Sequence, residues 1–431
     1  MVGSGPSRLL ARRARRIPPV LLVLVVLVPM ALLPGALPAT PAHAAGAAAG
    51  DEFYVPPNPL PPGSPGDVIR SRRSVAPLTA ASAWQLLYRS TTALGEPTAV
   101  SGTLLVPAAP FSGTRPVVAY APGTQGWGDQ CAPSKSIAGG TFDEQFAVDN
   151  LLGRGWAVVV TDYPGLGTPG DETYNVGIPE GQAVLDALRA ATRLPEAGLR
   201  SSAPMAIEGY SQGGGAADWA AQLQPSYAPE LRLTGVAGGG TPANLQAVAR
   251  NINGTAFFAF LAGTAIGFNA AYPSLNLNQY LTAQGQEAMR QLNTQCQVTA
   301  LLQFAGKRIE DYTVGHVNPV DLPPVKAVLD LNNLGGTRPA APVLQYHGLL
   351  DQIIPYQVEA NLHRQYCAMG VTSQLNAYAG DHVLTHVLAQ GDVVSWLRAR
   401  LAGTPARRNC RARGKGRLGL RRPPRAAPRA A

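Results

Sequence analysis

Residues 205–223 read MAIEGYSQGGGAADWAAQL, and the reading of Ser211 within them decides the fold. Met205 to Glu208 is strand-like and Ala216 to Leu223 helix-like. Between them, Gly209-Tyr210-Ser211-Gln212-Gly213 has the spacing G-x-S-x-G. A serine at the tip of a sharp strand-to-helix turn needs small neighbours, because side chains two residues away would collide. Gly213, Gly214 and Gly215 also let the start of the helix pack tightly on a sheet. The helix N-terminus then brings backbone N–H groups and a positive dipole end to the place where an oxyanion would form. In a chain with 47 glycines the pattern alone is weak; its strand–helix setting is what strengthens it. A phosphate-binding loop is the rival reading, but the stretch lacks the Lys-Ser/Thr ending of a P-loop and the full G-x-G-x-x-G spacing.

Outward from this turn the same rhythm repeats. RPVVAYAPG (115–123) and GWAVVVTDYPG (155–165) are short β-branched runs composed for burial on both sides, each ending in a glycine-bearing loop. EGQAVLDALRAATR (180–193) spaces Val184, Leu185, Leu188 and Ala191 as a helix. LTGVAGGGTP (233–242) is another strand, and APVLQYHGLLDQIIP (341–355) resumes the pattern. A helix around 356–369, the strand SQLNAYAG and a last helix over 384–402 follow. Upstream, the alternation from Trp84 through VSGTLLVP (100–107) predicts hairpin-forming strands. Strands alternating with helices after an opening hairpin imply an α/β fold with a mostly parallel sheet covered on both faces. Residues 243–338 interrupt the alternation. They are apolar at first, as in NGTAFFAFLAGTAIGFNAAYPSL, and helical later, and are read as a helical cap inserted between core segments 45–242 and 339–406 rather than a second core layer.

The ends differ from this body. Arg8, Arg12, Arg13, Arg15 and Arg16 precede an apolar run from Ile17 to Leu33, and Ala42-His43-Ala44 offers a small-residue cleavage site, so residues 1–44 read as an export signal. Pro18, Pro19 and Pro29, with no charged stop-transfer flank, argue against a membrane anchor. Residues 407–431 form a basic, disordered type of tail. The formal charge of +9 comes from these ends: five cations lie in the leader and ten in the tail. The body between keeps 20 of the 35 Lys and Arg and all 26 Asp and Glu, a net charge of about −6. It carries no nucleic-acid footprint. Four cysteines in an exported chain suggest two disulfides, and their wide spacing does not suit zinc; three pairings are open.

A serine nucleophile needs a base, and the base an orienting carboxylate, in the order Ser, acid, His for this kind of turn. HGLLDQIIP places Asp351 just after a strand; Asp321 and Asp330 follow no strand and are poorer acids. GDHVLTH places His382 in the loop after a strand, with His386 one helical turn on, and His382 is the better base. His363 falls in a helix-like stretch and reads as a surface residue, and His347 precedes Asp351 and reads as structural. The oxyanion donors expected are the backbone N–H of Gln212 and that of Thr124 or Gln125, where Gly123 frees the loop in VVAYAPGTQGWGDQCAPS.

With these residues in view, the chain resembles the secretory lipase family, the lipase A-like α/β-hydrolases of yeasts and actinobacteria. EFYVPPNPL, PGDVIRSR, WQLLYRSTTALGEPTAVSGTLLVP, DQCAPS, TDYPGLGTPG, GYSQGGGAA, HGLLDQIIP and GDHVLTH carry the likeness through almost the whole mature chain. The resemblance implies an α/β-hydrolase fold and a secreted, monomeric hydrolase of carboxylic esters, including triacylglycerols at a lipid–water interface. It implies no metal or cofactor, and a helical cap over the acyl site. It carries the triad onto Ser211, Asp351 and His382, and pairs Cys131 with Cys296 and Cys367 with Cys410. The family's oxyanion loop is acidic or glycine-rich, and PGTQG varies it, so Thr124 and Gln125 both stay candidates. The tail departs from the pattern; its ten cations suggest electrostatic contact with anionic envelope polymers. A peptidase or an acyltransferase could use the same triad, and a non-catalytic envelope-binding protein could keep the fold.

Overall fold

The computed structural model describes residues 51–410 and Met1. The export-signal reading of residues 1–44 and most of the basic tail therefore lie outside the described residues.

In chain order the strands are β1 (Val68–Ser74), β2 (Ala81–Thr91), β3 (Pro97–Pro107), β4 (Val117–Ala121), β5 (Ala157–Thr161), β6 (Met205–Tyr210), β7 (Leu233–Gly239), β8 (Val343–Gly348) and β9 (Ser373–Tyr378). They form one sheet in the order β1-β2-β3-β5-β4-β6-β7-β8-β9. The β1-β2-β3 meander and its junction with β5 are antiparallel, and every pair from β5 to β9 is parallel. The mostly parallel sheet expected from the sequence is the one observed. β1 was not expected. Its VIRSRRS sequence suits a strand only because it lies at the sheet edge, where Arg72 lies over the ring of Phe53 and Arg73 over that of Trp84.

The helices are α1 (Pro133–Gly139), α2 (Gln145–Leu152), α3 (Gly177–Arg193), α4 (Gln212–Tyr227), α5 (Leu245–Ile252), α6 (Phe258–Ala271), α7 (Ala283–Leu292), α8 (Gln297–Phe304), α9 (Pro323–Leu331), α10 (Tyr356–Ala368) and α11 (His382–Leu401). The two-residue period of the strands sorts them onto two faces. Val117, Ala119, Val159 and Ile207 pack in one apolar cluster with α3, α4 and α10. Val118, Tyr120, Val158 and Ala206 pack in the other with α2 and α11. Every residue of β4, β5 and β6 is buried, as strands covered on both faces must be.

Helices α5 to α9 occupy the segment between β7 and β8. Phe258, Ala259, Leu261 and Ala262 of α6 join the α3–α4 cluster, so this insertion shares the core's apolar packing. A disulfide between Cys131 and Cys296 ties its α8 end to the loop before α1, and a second joins Cys367 to Cys410. Among the described residues, no helix is long and apolar enough to cross a membrane.

At the centre of the sheet, β6 stops at Tyr210 and α4 begins at Gln212, leaving Ser211 to make the whole turn. α4 starts so close to β4 that a Cβ on Gly213 would stand 1.9 Å from the Ala121 carbonyl oxygen. One on Gly209 would stand 2.2 Å from that of Gly213. Because a backbone carbonyl cannot move aside as a side-chain tip can, Gly213→Ala should destabilise the fold by about 3 kcal/mol or more, measured by urea unfolding. A loss of only a few tenths would show that the turn has slack.

Candidate active site

Ser211 has φ 61° and ψ −122°, a backbone conformation that β-carbon-bearing residues rarely adopt. The strain turns its hydroxyl off the strand end toward the first turn of α11. There Nε2 of His382 lies 2.9 Å from Ser211 Oγ, and Nδ1 lies 2.6 Å from Asp351 Oδ2. Three residues from the ends of β6, β8 and β9 are thus joined in one hydrogen-bonded line. His382 is the first residue of α11 rather than part of a loop. The helix starts two residues earlier than the sequence suggested because Asp381 caps it, its side chain accepting the Leu384 N–H at 2.8 Å. The Tyr210 hydroxyl donates to the His382 carbonyl at 2.7 Å and fixes the same turn from below.

Asp351 is held from several sides. Its Oδ1 accepts the N–H groups of Ile353 and Ile354 at 2.9 and 2.8 Å. Its Oδ2 also faces His347 Nε2 at 3.3 Å. Burial pushes the Asp351 carboxyl up, but hydrogen bonds from His347 and His382 more than reverse this and hold it well below the usual carboxylate range. His347 lies near the end of β8, as the sequence indicated, yet it does more than fill space. Its Nε2 donates to the Ile354 carbonyl at 2.8 Å and its Nδ1 meets the Glu359 carboxylate. Burial disfavours the charged ring, but Asp351 and Glu359 outweigh it and raise the pKa to about 10.

The side chains of the residues expected to supply oxyanion donors are each engaged in hydrogen bonds. The Ser211 N–H is taken by the Gly239 carbonyl at 2.9 Å. Gln212 begins α4, and its side-chain amide donates to Glu172 at 3.0 Å and Glu180 at 2.8 Å. Burial raises both acids, Glu180 to about 8. Thr124 is buried with its hydroxyl 2.7 Å from that of Tyr174, while the Gln125 side chain turns away to Asp143 at 2.9 Å. Gly123 N–H donates to Glu144, whose carboxyl burial pushes up to about 8.

The other histidines are placed elsewhere. His386 stacks on Tyr210 beneath His382, near Tyr120 and Glu144; burial first, then the neighbouring His382, lowers its pKa to about 3. His363 is buried, not a surface residue. The face of α10 that carries it packs on β9, where its Nδ1 meets the Ser373 hydroxyl at 2.8 Å. With Cys367 and Cys410 it forms the one group of metal-ligand types among the described residues, but both sulfurs are bonded to each other.

Ser211 and Gln212 open onto an apolar cavity lined by Tyr174, Leu245, Ala249, Phe260 and Leu261. Leu245, Ala249, Leu261 and Thr264 also line a second compartment, which shares Ala265, Leu277, Ile309 and Pro319 with a third of about 270 Å³. The three compartments thus share walls built by α6, and the third also carries Asp171, Asn269 and Arg290 in its lining.

Known proteins resemble this chain along most of its length. The secretory lipase family matches residues 133–409. A secreted triacylglycerol lipase of Malassezia globosa is 30% identical, over 84% of this chain and 83% of its own. A Mycobacterium tuberculosis protein described as a probable inactive lipase is also 30% identical, over 82% of each chain. Candida antarctica lipase A, solved in its closed state, is 26% identical, with a TM-score of 0.77 over 85% of this chain and 89% of that one.

The buried imidazole of His386 gives a pH prediction. Its folded pKa lies below the ordinary 6.5, so the stability from holding it neutral is fully present above about pH 6.5 and is lost as pH falls toward about 3. His386→Asn should flatten the fall of Tm across that interval, even if the variant is less stable throughout. Parallel Tm curves for the two proteins would contradict this.

Proposed function

The chain belongs to the secretory lipase family, and we propose that it hydrolyses carboxylic esters, triacylglycerols among them, through an acyl-enzyme on Ser211. The observation that carries this reading is the hydrogen-bonded line Ser211–His382–Asp351 at the mouth of an apolar cavity. Membership alone would not carry it, since one relative is described as probably inactive.

His382 Nε2 takes the Ser211 proton as Oγ bonds to the ester carbonyl carbon, and the carbonyl π electrons move onto oxygen. The backbone N–H of Gln212 and one from Thr124 or Gln125 stabilise that oxyanion. The carbonyl re-forms, the ester C–O bond breaks, and His382 gives its proton to the leaving alcohol. A water then repeats the sequence: it loses a proton to His382, bonds to the acyl carbon, and frees the carboxylic acid as Ser211 regains its hydroxyl. Asp351 keeps Nδ1 of His382 protonated and oriented throughout.

The two compartments nearest the serine support an acyl chain as the group held, because they are lined mostly by apolar side chains. The surface around the histidine supports a lipid aggregate as its source. Leu349, Leu350, Val383, Leu384, Val387 and Leu388 are 47–69% exposed and flank Asp351 and His382. Leu349 and Leu350 N–H groups are bonded to the carbonyls of Tyr378 and Gly380, so the loop and the start of α11 present one apolar patch.

Ser211→Ala should lower turnover of a p-nitrophenyl ester by about 10⁴-fold or more with unfolding unchanged; retention of the rate would exclude the assignment. Ala265→Phe, in the wall that the second and third compartments share, should cut kcat/KM for a long-chain ester about ten-fold and leave the acetate ester nearly untouched. Equal losses on both esters would place the acyl chain elsewhere.

A further inference from the structure

His347 is surrounded by acceptors. Its Nε2 faces the Ile354 carbonyl at 2.8 Å and Asp351 Oδ2 at 3.3 Å, and its Nδ1 faces Glu359 Oε2. Burial pushes the Glu359 carboxyl up while the His347 contact pulls it back; with that carboxyl ionised, the imidazole satisfies the acceptors on both sides only with a proton on each nitrogen. Glu359 comes from α10 and also accepts the Thr241 N–H at 3.1 Å, from the loop after β7. The side chains of His347, Asp351 and Glu359 are fully buried. Two carboxylates here without a cation between them would repel each other in a medium that screens poorly.

We propose that His347, kept as an imidazolium between Asp351 and Glu359, is a positioning residue that locks the Asp351 carboxylate and lowers the basicity of His382. The proposal rests on the reading of Ser211, His382 and Asp351 as the reacting line. Of the two Asp351 oxygens, Oδ1 is pinned by backbone N–H groups and Oδ2 is shared between the two imidazoles. A line that needed only orientation would be complete with the backbone bonds. The second imidazole adds a positive charge on the far side of the carboxylate, which opposes protonation of His382. That keeps His382 neutral, and so able to accept the serine proton, at lower pH than Asp351 alone would allow.

The other groups around these two rings leave that effect readable. The His382 ring also meets the Tyr210 ring, while its backbone N–H donates to the Gln352 side chain at 3.3 Å and Asp381 caps its helix turn. His386 beneath it is kept uncharged by burial through the relevant range. His347 also meets the edge of the Tyr356 ring, and burial, then the charge of Glu359, pushes the Asp218 carboxyl well up.

The test is the pH profile of kcat/KM on a soluble ester, with active sites counted by stoichiometric phosphonate titration. In His347→Gln the amide can still donate to Asp351, but the charge is gone. In His347→Asn the shorter amide reaches Glu359 and loses Asp351. Both should move the acid limb up by about one pH unit, and only the Asn variant should also lose about ten-fold or more in kcat at the plateau. A purely structural residue would change the count of active sites and leave the limb in place; an unmoved limb in both variants overturns the proposal. Should neither variant fold, nitrogen NMR of the histidine-labelled wild-type protein decides. One imidazole protonated on both nitrogens at pH 8 supports the proposal, and none in that state overturns it. If Ser211→Ala kept its activity, the triad itself would fall; if that variant is dead and the limb does not move, only the role of His347 falls.

Discussion

The start of α4 lies against the end of β4 with no room for a side chain between them, and most of the site follows from that contact. Gly213 meets the Ala121 carbonyl so closely that β6 must give way to α4 within one residue. That residue, Ser211, takes a positive φ that a serine adopts only under constraint. Its hydroxyl is lifted off the sheet, its N–H is bonded to Gly239, and the unpaired N–H groups of the α4 terminus open beside it. The parallel register of β6, β7, β8 and β9 then sets the distances at which Ser211, Asp351 and His382 reach the same point.

The site is also assembled by burying charge in matched sets. Asp351 stays ionised in a buried place because two backbone N–H groups and two imidazoles face it. His386, only one helical turn from His382, lacks such support and is held neutral. Two histidines on one helix face are thereby given different work: one turned to the serine, the other packed on Tyr210. The same contrast holds among the acids. Glu144, Glu172 and Glu180 are pushed up by burial and serve as hydrogen-bond partners of Gly123 and Gln212.

The parallel core was legible in the sequence because β4, β5 and β6 are short apolar runs that end in glycine-bearing loops, a composition few other elements share. Ser211, Asp351 and His382 stood out because each follows such a run. What escaped notice depends on packing between elements distant in sequence. His347 reads as merely structural because its partner Glu359 sits on the next helix, and nothing in either local pattern announces the pair. His363 looked exposed because α10 is polar along much of its length, while the face it occupies is set by where β9 passes. β1 was missed because its three arginines hide an edge strand whose guanidinium stems pack on aromatic rings. The bonds of the Gln212 amide to Glu172 and Glu180 join residues 32 and 40 positions apart, beyond the reach of any local motif.

The central claim is a covalent intermediate on one serine. Mixing the protein with a p-nitrophenyl ester, quenching in acid within milliseconds and mapping the digest by mass spectrometry tests it directly. An acyl mass is expected on the peptide that contains Ser211, formed with a burst of nitrophenol and lost in step with carboxylic acid release. Steady hydrolysis with Ser211 unmodified, or the acyl group on another residue, would contradict it.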